Sequence, residues 1–313
     1  NEENKVTKER KDLDILNKMK QLPGGLVIIP LVIAVVIATF FPQAFQIGGY
    51  VTALFYEGNA CMMGFFLIVC GSMIDIKQVG MPLYKGVVMT GVKFLLGVIL
   101  GLVVGKVCGP AGFLGIAPFV LIATITNSNG SLYISLSSQF GNATDTGAIS
   151  ILSLNDGPFF TLIALGATGL ANIPINSLIA VLVPLLIGFV WGNLDKGFRD
   201  ACKTAQPIVT FFMTISIGAK TDVKTIVTAG ASGIVLGLIS AATAVIFFFV
   251  INLLLPKKER NAMGAAIGTT ALNSAMTPAA VAEADPTMAE FVPMATAQCA
   301  TASICLLYTS PSP

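Results

Sequence analysis

Three groups of polar residues and two lone charges interrupt an otherwise apolar chain, and each has a chemistry open to it. Asn155-Asp156, within "SLNDGPFF", sets a carboxylate beside a neutral amide oxygen. Such a pair can coordinate Na⁺ together with carbonyl and hydroxyl oxygens, or take up a proton where burial raises the pKa of the acid. The cluster Thr124, Thr126, Asn127, Ser128, Asn129, Gly130 and Ser131 offers hydroxyls and amides, and "GTTALNSAMTP", with Asn273, Ser274 and Thr277, offers the same again. Ser128 or Asn129 can cap a helix through "LYISLSSQ", while Thr277-Pro278 reads as a cap followed by proline at the first helical position. A helix that restarts at such a point aims free N–H groups and a positive dipole end at an anionic group. Lys93, in "TGVKFLLGV", and Glu283, near the end of the second restarted helix, complete the set. The chain has no histidine, so any proton relay must run through carboxylates. It also lacks a Gly-x-Ser-x-Gly elbow and a metal-ligand cluster, which speaks against an intramembrane enzyme.

The elements that hold these residues belong to a membrane protein. Of 313 residues, 55% are hydrophobic and 11% charged, against roughly a quarter charged in soluble domains. The six cysteines show no CxxC spacing and read as small buried hydrophobes; neither a disulfide framework, a metal site nor a nucleic-acid partner is expected. With roughly 20 apolar residues needed per crossing, ten spans are expected, near residues 24–41, 50–74, 84–108, 113–139, 146–170, 177–192, 203–219, 226–255, 261–284 and 287–308. The arm before them forms either a surface helix or a solvated basic tail. Ten spans place both termini on one side, and of the 18 Lys and Arg residues only Lys106, Lys220 and Lys224 then fall on the other, with Lys93 inside a span. The positive-inside rule puts both termini in the cytoplasm.

The chain also repeats itself. "GSMIDIK" at Gly71 corresponds to "GAKTDVK" at Gly218, Pro110 to Pro256, and Asn127-Ser128 to Asn273-Ser274, at an almost constant offset. The expected fold is therefore an all-α membrane protein with ten transmembrane helices in two inverted five-helix repeats, spans 4 and 9 being broken and crossing. Its parts are a cytoplasmic segment at 1–22, a first repeat at 23–175, a second at 176–308 and a short tail at 309–313. Asp156 lies about 15 Å into span 5, near the midplane. It serves there as a coupling site or as a structural partner of a buried polar group. Lys93 either neutralises Asp156, attracts a substrate carboxylate, or is a snorkelling or structurally paired lysine. Glu283 is a second ion ligand or an interfacial residue. Asp75 and Asp222, at span ends beside lysines, read as caps or surface pairs. Ser, Thr and Asn also hydrogen-bond neighbouring helices without binding anything, but a matched pair of clusters favours a ligand site.

The motifs "QLPGGLVIIPL", "NGSLY", "LNDGP", "WGNLD" and "TPAAVAEADP", in this order from about Pro23 to Ala302, resemble the bacterial 2-keto-3-deoxygluconate permease family. The resemblance implies inner-membrane uptake of that small anionic sugar acid by cation symport, H⁺ or Na⁺, with no other cofactor. It also implies the fold of bile-acid sodium symporters and sodium/proton antiporters, in which a core of broken helices moves against a panel, here spans 1, 2, 6 and 7. In that frame Asn127, Ser128, Asn129, Gly130, Ser131, Asn273, Ser274 and Thr277 face the substrate, and Asp156, Asn155, Lys93 and Glu283 serve coupling. A cation/proton antiporter of the same fold is the alternative. Two features depart from the family pattern: the acid of the Asn155-Asp156 pair has changed place, and "CLLYTSPSP" ends short of a basic tail, as a truncated or foreign terminus would. The oligomeric state is not readable from the sequence.

Overall fold

The computed structural model describes residues 14–22, 25–75 and 80–309, apart from the side chains of Lys20, Ser131, Asp156 and residues 307–309. Among the described residues the chain is helical, with a lone bridge between Phe113 and Ile116 as its one β contact. A short α1 (Ile15–Gln21) precedes α2 (Gly25–Phe40), α3 (Gly49–Phe55), α4 (Asn59–Ser72) and α5 (Met81–Cys108). Then come α6 (Pro118–Thr126), α7 (Gly130–Phe140), α8 (Ala143–Gly147), α9 (Ile149–Leu152) and, after a 3₁₀ turn at Ser153–Asp156, α10 (Phe159–Thr168). The second half runs through α11 (Ile175–Leu194), α12 (Lys196–Gly218), α13 (Val223–Leu254), α14 (Met263–Ala266), a 3₁₀ turn at Leu272–Met276, α15 (Thr277–Ala284) and α16 (Val292–Thr309).

Three of these helices, α5, α11 and α13, are each long and apolar enough to cross a bilayer, and two bent pairs qualify when each is taken as one span. The exposed face of α5 carries Val87, Leu95, Ile99, Val103 and Val107, an apolar stripe. At 1.5 Å per residue it is about 30 Å long, the thickness of a hydrocarbon core. Its buried face sets the small residues Gly86, Thr90, Gly97 and Gly101 among Lys85, Met89 and Lys93. A Cβ at Gly97 would come within 2.7 Å of Thr126, so α5 and α6 approach more closely than larger residues allow.

The helices pack as two groups. In one, α4 lies against α11 and α12, and α12 against α2. Gly71 of α4 faces the backbone of Leu185 and Gly188 of α11 faces that of Ile68, so neither position has room for a side chain. In the other group α5 packs on α6, α8 and α9, and α13 on α14 and α16. These pairs bury Met89, Ile122, Ile125, Leu236 and Phe247 in an apolar core to which the first group also contributes, through Leu31, Phe66 and Leu185.

The expected interruptions at spans 4 and 9 are present: α6 and α7 flank one, α14 and α15 the other. Two expected continuous spans are bent instead. Span 2 turns by 53° between α3 and α4, where Gly58 lies too close to the carbonyl of Leu54 for a Cβ. Span 5 turns by 59° before α10. There Pro158 lacks an N–H and pushes Gly157 into extended backbone, ψ 177°. The cysteines also differ from expectation: Cys70, Cys202 and Cys299 are buried, but Cys61 and Cys108 are exposed.

Candidate functional site

The first break begins where Asn127 leaves the helix with ψ 145°. Thr126 closes α6 by donating to the carbonyl of Ile122 at 2.8 Å and meets the hydroxyl of Thr161, on α10, at 3.0 Å. Asn127 then joins three segments. Its amide nitrogen donates to the carbonyl of Asn155 at 3.0 Å, and its oxygen accepts from the N–H of Ala271 at 2.9 Å, inside the second break. Ser128 accepts from the Asn155 amide at 3.3 Å. Asn129 caps α7 by accepting from the N–H of Leu132 at 3.0 Å, as the sequence leads one to expect, and Gly130 is the first residue of that helix.

The second break is longer and holds its backbone differently. Non-helical backbone at membrane depth must find partners, because each unpaired carbonyl or N–H costs several kcal/mol. Here side chains from three helices supply them. Lys93 of α5, fully buried, donates to the carbonyls of Ile267 and Thr269, the latter at 3.0 Å, with Phe247 under its ammonium 5.2 Å away. Ser240 of α13 donates to Gly268 at 3.2 Å, and Ser303 of α16 to Ala271 at 2.9 Å. Of the roles open to Lys93, this geometry is that of the structurally paired lysine. Ser240 and Ser303 carry no sequence signal beyond that of any serine on an apolar helix.

Ser274 is buried with its hydroxyl 3.5 Å from that of Ser303, and Asn273 is half-buried in the same 3₁₀ turn. Thr277 is the first residue of α15 rather than its cap; Met276 holds the cap position and gives no side-chain hydrogen bond. Asn155 sits at the third break, 2% exposed, with its side-chain oxygen unpartnered among the described residues. Asp156 ends the 3₁₀ turn beside it, and its side chain, like that of Ser131, lies outside the described residues.

Glu283 lies apart from the breaks, exposed on α15 and shared by two cavities of about 320 and 280 Å³ that follow the seam between the helix groups. Asn59 at the start of α4 lines both, and its side-chain oxygen is buried and unpartnered among the described residues. Ser216, Lys220 and Thr221 from the end of α12 line the larger one, and alanines of α15 form the facing wall.

At the far end of α5 is a cluster that sequence reasoning missed. Lys85, expected among the loop lysines, is fully buried and pairs with Asp145 at 2.7 Å and Glu259 at 2.8 Å. Asn261 donates to Asp145 at 2.6 Å, and a capping box joins Asp145 to Asn142. The hydrogen bonds from Lys85 and Thr144 hold the Glu259 carboxyl down at about 2. The two span-end acids behave as expected. Asp222 caps α13 by accepting from the N–H of Thr225, which holds its carboxyl below the usual range, and Asp75 pairs with Arg199 at 3.7 Å.

Comparison with known proteins places this architecture. A family profile described as 2-keto-3-deoxygluconate permease matches residues 16–311. The 2-keto-3-deoxygluconate permease 1 of Salmonella typhimurium is 44% identical over 278 residues, covering 89% of this chain and 87% of that protein. The 2-keto-3-deoxygluconate permease of Xanthomonas oryzae is 32% identical over 299 residues (91% of each chain), and that of Bacillus subtilis 29% over 291 residues (91% of this chain, 88% of that one). A match that runs through all three breaks and both helix groups, at this identity, makes the chain a member of the 2-keto-3-deoxygluconate permease family.

Proposed function

We propose that the chain is a secondary active transporter of the bacterial inner membrane that imports 2-keto-3-deoxygluconate or a similar sugar acid together with a cation, by alternating access. The observation that carries this reading is the hydrogen bond from the second break to Asn127 of the first, which brings two interrupted helices together inside the apolar body. Discontinuous helices meeting between repeats are the usual site of substrate and coupling ions in such carriers. The names of the relatives supply the substrate class.

The ten-span, inverted-repeat topology is part of the same proposal, with repeats at 23–175 and 176–308 and both termini cytoplasmic. It is supported by matched packing: α2 on α12 and α11 on α4 are the same contact once the halves are exchanged. In this frame α2, α4, α11 and α12 form the panel, and the remaining spans the core. Asn127, Ser128, Asn129, Gly130, Ser131, Asn273, Ser274 and Thr277 surround the substrate path, and Asp156 holds Na⁺ or a proton. The side-chain oxygen of Asn155, the preceding residue, has no partner among the described residues and supports that role as a neutral ligand. A bound cation lowers the cost of bringing an anion into the same low-dielectric site, and this electrostatic link is the coupling.

Uptake of labelled 2-keto-3-deoxygluconate into proteoliposomes, with an imposed pH or Na⁺ gradient, tests the reading. Accumulation above the external concentration is expected for the wild type and its loss for Asp156→Asn, with the variant still folded. Accumulation that survives Asp156→Asn removes Asp156 from the coupling, and a wild type that accumulates nothing under either gradient refutes the symporter.

A further inference from the structure

We propose that the groove between α7, α13, α14 and α16 holds an acyl chain of an anionic phospholipid, with Lys257, Lys258 and Arg260 taking its phosphate at the membrane surface. The orientation proposed above only names the leaflet, the cytoplasmic one; the groove and the charges do not depend on it. Shape, depth and charge point to this occupant.

The groove has a volume of about 380 Å³ and is lined by Leu136 and Phe140 of α7, Ala241 and Ala244 of α13, Met263 of α14 and Leu306 of α16. None of the described lining residues belongs to α2, α4, α11 or α12, so it lies away from the seam between the helix groups. Phe140 and Ala241 are exposed and open it to the surroundings. The hollow exists because Ala241 and Ala244, one turn apart, interrupt a face on which Leu238 and Val245 stand out.

Its depth is that of one leaflet. Leu253 and Leu254, the last residues of α13, are exposed and apolar, and the phenol of Tyr84 donates to the Leu254 carbonyl at 3.1 Å. Tyrosines concentrate where hydrocarbon gives way to headgroups, so this end of α13 marks the membrane surface. Ala244 lies about 15 Å deeper at 1.5 Å per residue, half the thickness of a hydrocarbon core. A groove that stops there suits a lipid chain and is too short for a spanning helix.

The charge sits at the mouth. The chain leaves α13 through Lys257, Lys258, Glu259 and Arg260 and reaches the groove wall at Ala262. Glu259, the one acid in this run, turns inward and shares the buried Lys85 with Asp145. Lys85, Lys257, Lys258 and Arg260 thus meet only those two carboxylates, a surplus of two positive charges. Lys257, Lys258 and Arg260 are exposed and form no ion pair among the described residues. The Arg260 Nε donates to the Leu255 carbonyl at 3.0 Å, which fixes the guanidinium at the turn. A basic turn at the rim of an interhelical hollow is a pattern that recognises an anionic headgroup. A zwitterionic phospholipid offers the groove the same chain but brings no net charge to the turn.

Native mass spectrometry of the detergent-purified, delipidated full chain tests the assignment, with dioleoyl phosphatidylglycerol and dioleoyl phosphatidylcholine as probes. The wild type should bind the anionic lipid about tenfold more tightly. Lys257→Gln together with Lys258→Gln should remove that preference and leave the zwitterionic lipid unchanged. Lys196→Gln with Lys203→Gln, exposed lysines elsewhere and the same change in net charge, should leave both affinities within twofold of wild type. Ala241→Trp, at an exposed position, should fill the groove and weaken both lipids. Glycerol phosphate, a headgroup without chains, should displace neither. Equal affinity of the wild type for the two lipids, an equal loss in the two lysine pairs, unchanged binding in Ala241→Trp, or displacement by glycerol phosphate would each overturn the site. Sugar-acid uptake reads the transporter separately, so none of these outcomes touches that reading.

Discussion

Removing Asp145 should cost the fold more than any change at the membrane-facing surface. Its two carboxylate oxygens accept from Lys85 at 2.7 Å, Asn261 at 2.6 Å and the N–H of Asn142 at 2.9 Å, all in a fully buried position. Breaking a buried pair by deleting one partner typically costs about 3–5 kcal/mol, because a charge is left behind without compensation. Here Lys85 keeps Glu259 at 2.8 Å, whose side chain is 18% exposed, so the expected loss for Asp145→Ala is at the lower end, about 3 kcal/mol. Asp145→Asn retains an acceptor and the cap, and should lose about half of that. Equilibrium unfolding of the detergent-purified protein reads both. A double-mutant cycle with Lys85→Met should give a coupling of about 2 kcal/mol, since removing both charges costs less than the sum of removing each. A loss below about 1 kcal/mol for Asp145→Ala, or strictly additive single effects, would refute the argument.

Glu259 gives this cluster a dependence on pH. Its folded value, about 2, lies below the ordinary 4.5, so its contribution is complete above pH 4.5 and fades as pH falls toward 2. Thermal unfolding midpoints should drop across that window, and Glu259→Gln should flatten the drop; an unchanged acid limb in the variant would contradict the assignment. Lys93→Met leaves the carbonyls of Ile267 and Thr269 without their donor inside the core, which should cost about 2–4 kcal/mol and lower the midpoint markedly. Asn127→Leu severs the link to Ala271 and Asn155; a loss of about 1–3 kcal/mol and of sugar-acid uptake is expected, and wild-type uptake would show that the breaks need no bond between them.

Much of the helix pattern can be read from the chain because apolar length, prolines and glycines mark where helices run and stop. Asn129 as the cap of α7 and Asp222 as the cap of α13 are local facts, fixed by residues within a few positions, and a sequence displays such facts. The bend at Gly157-Pro158 was marked just as plainly by "NDGP", but the apolar residues on either side hide it in a reading by hydropathy alone. The Lys85 cluster is of another kind. Its members come from the start of α5, the capping box of α8 and the turn after α13, so nothing near Lys85 in the chain distinguishes it from a lysine in water. The same holds for the roles of Lys93, Ser240 and Ser303 at the second break, which exist only once the helices are packed. Asn59 is a third case: an asparagine at a helix start predicts nothing until the emptiness beside it is seen.

Every side-chain hydrogen bond described at the two breaks comes from α5, α6, α7, α10, α13, α16 or the turns between them, and among the described residues none comes from α2, α4, α11 or α12. If one group shifts against the other, this polar knot travels whole, with none of its bonds stretched or exchanged. The surfaces that would slide include Ala280 and Ala284 of α15 and Ala60 and Gly64 of α4, which line one cavity and carry no side chain long enough to interlock across it. Bulky side chains placed on those surfaces would act as a brake while leaving the knot untouched.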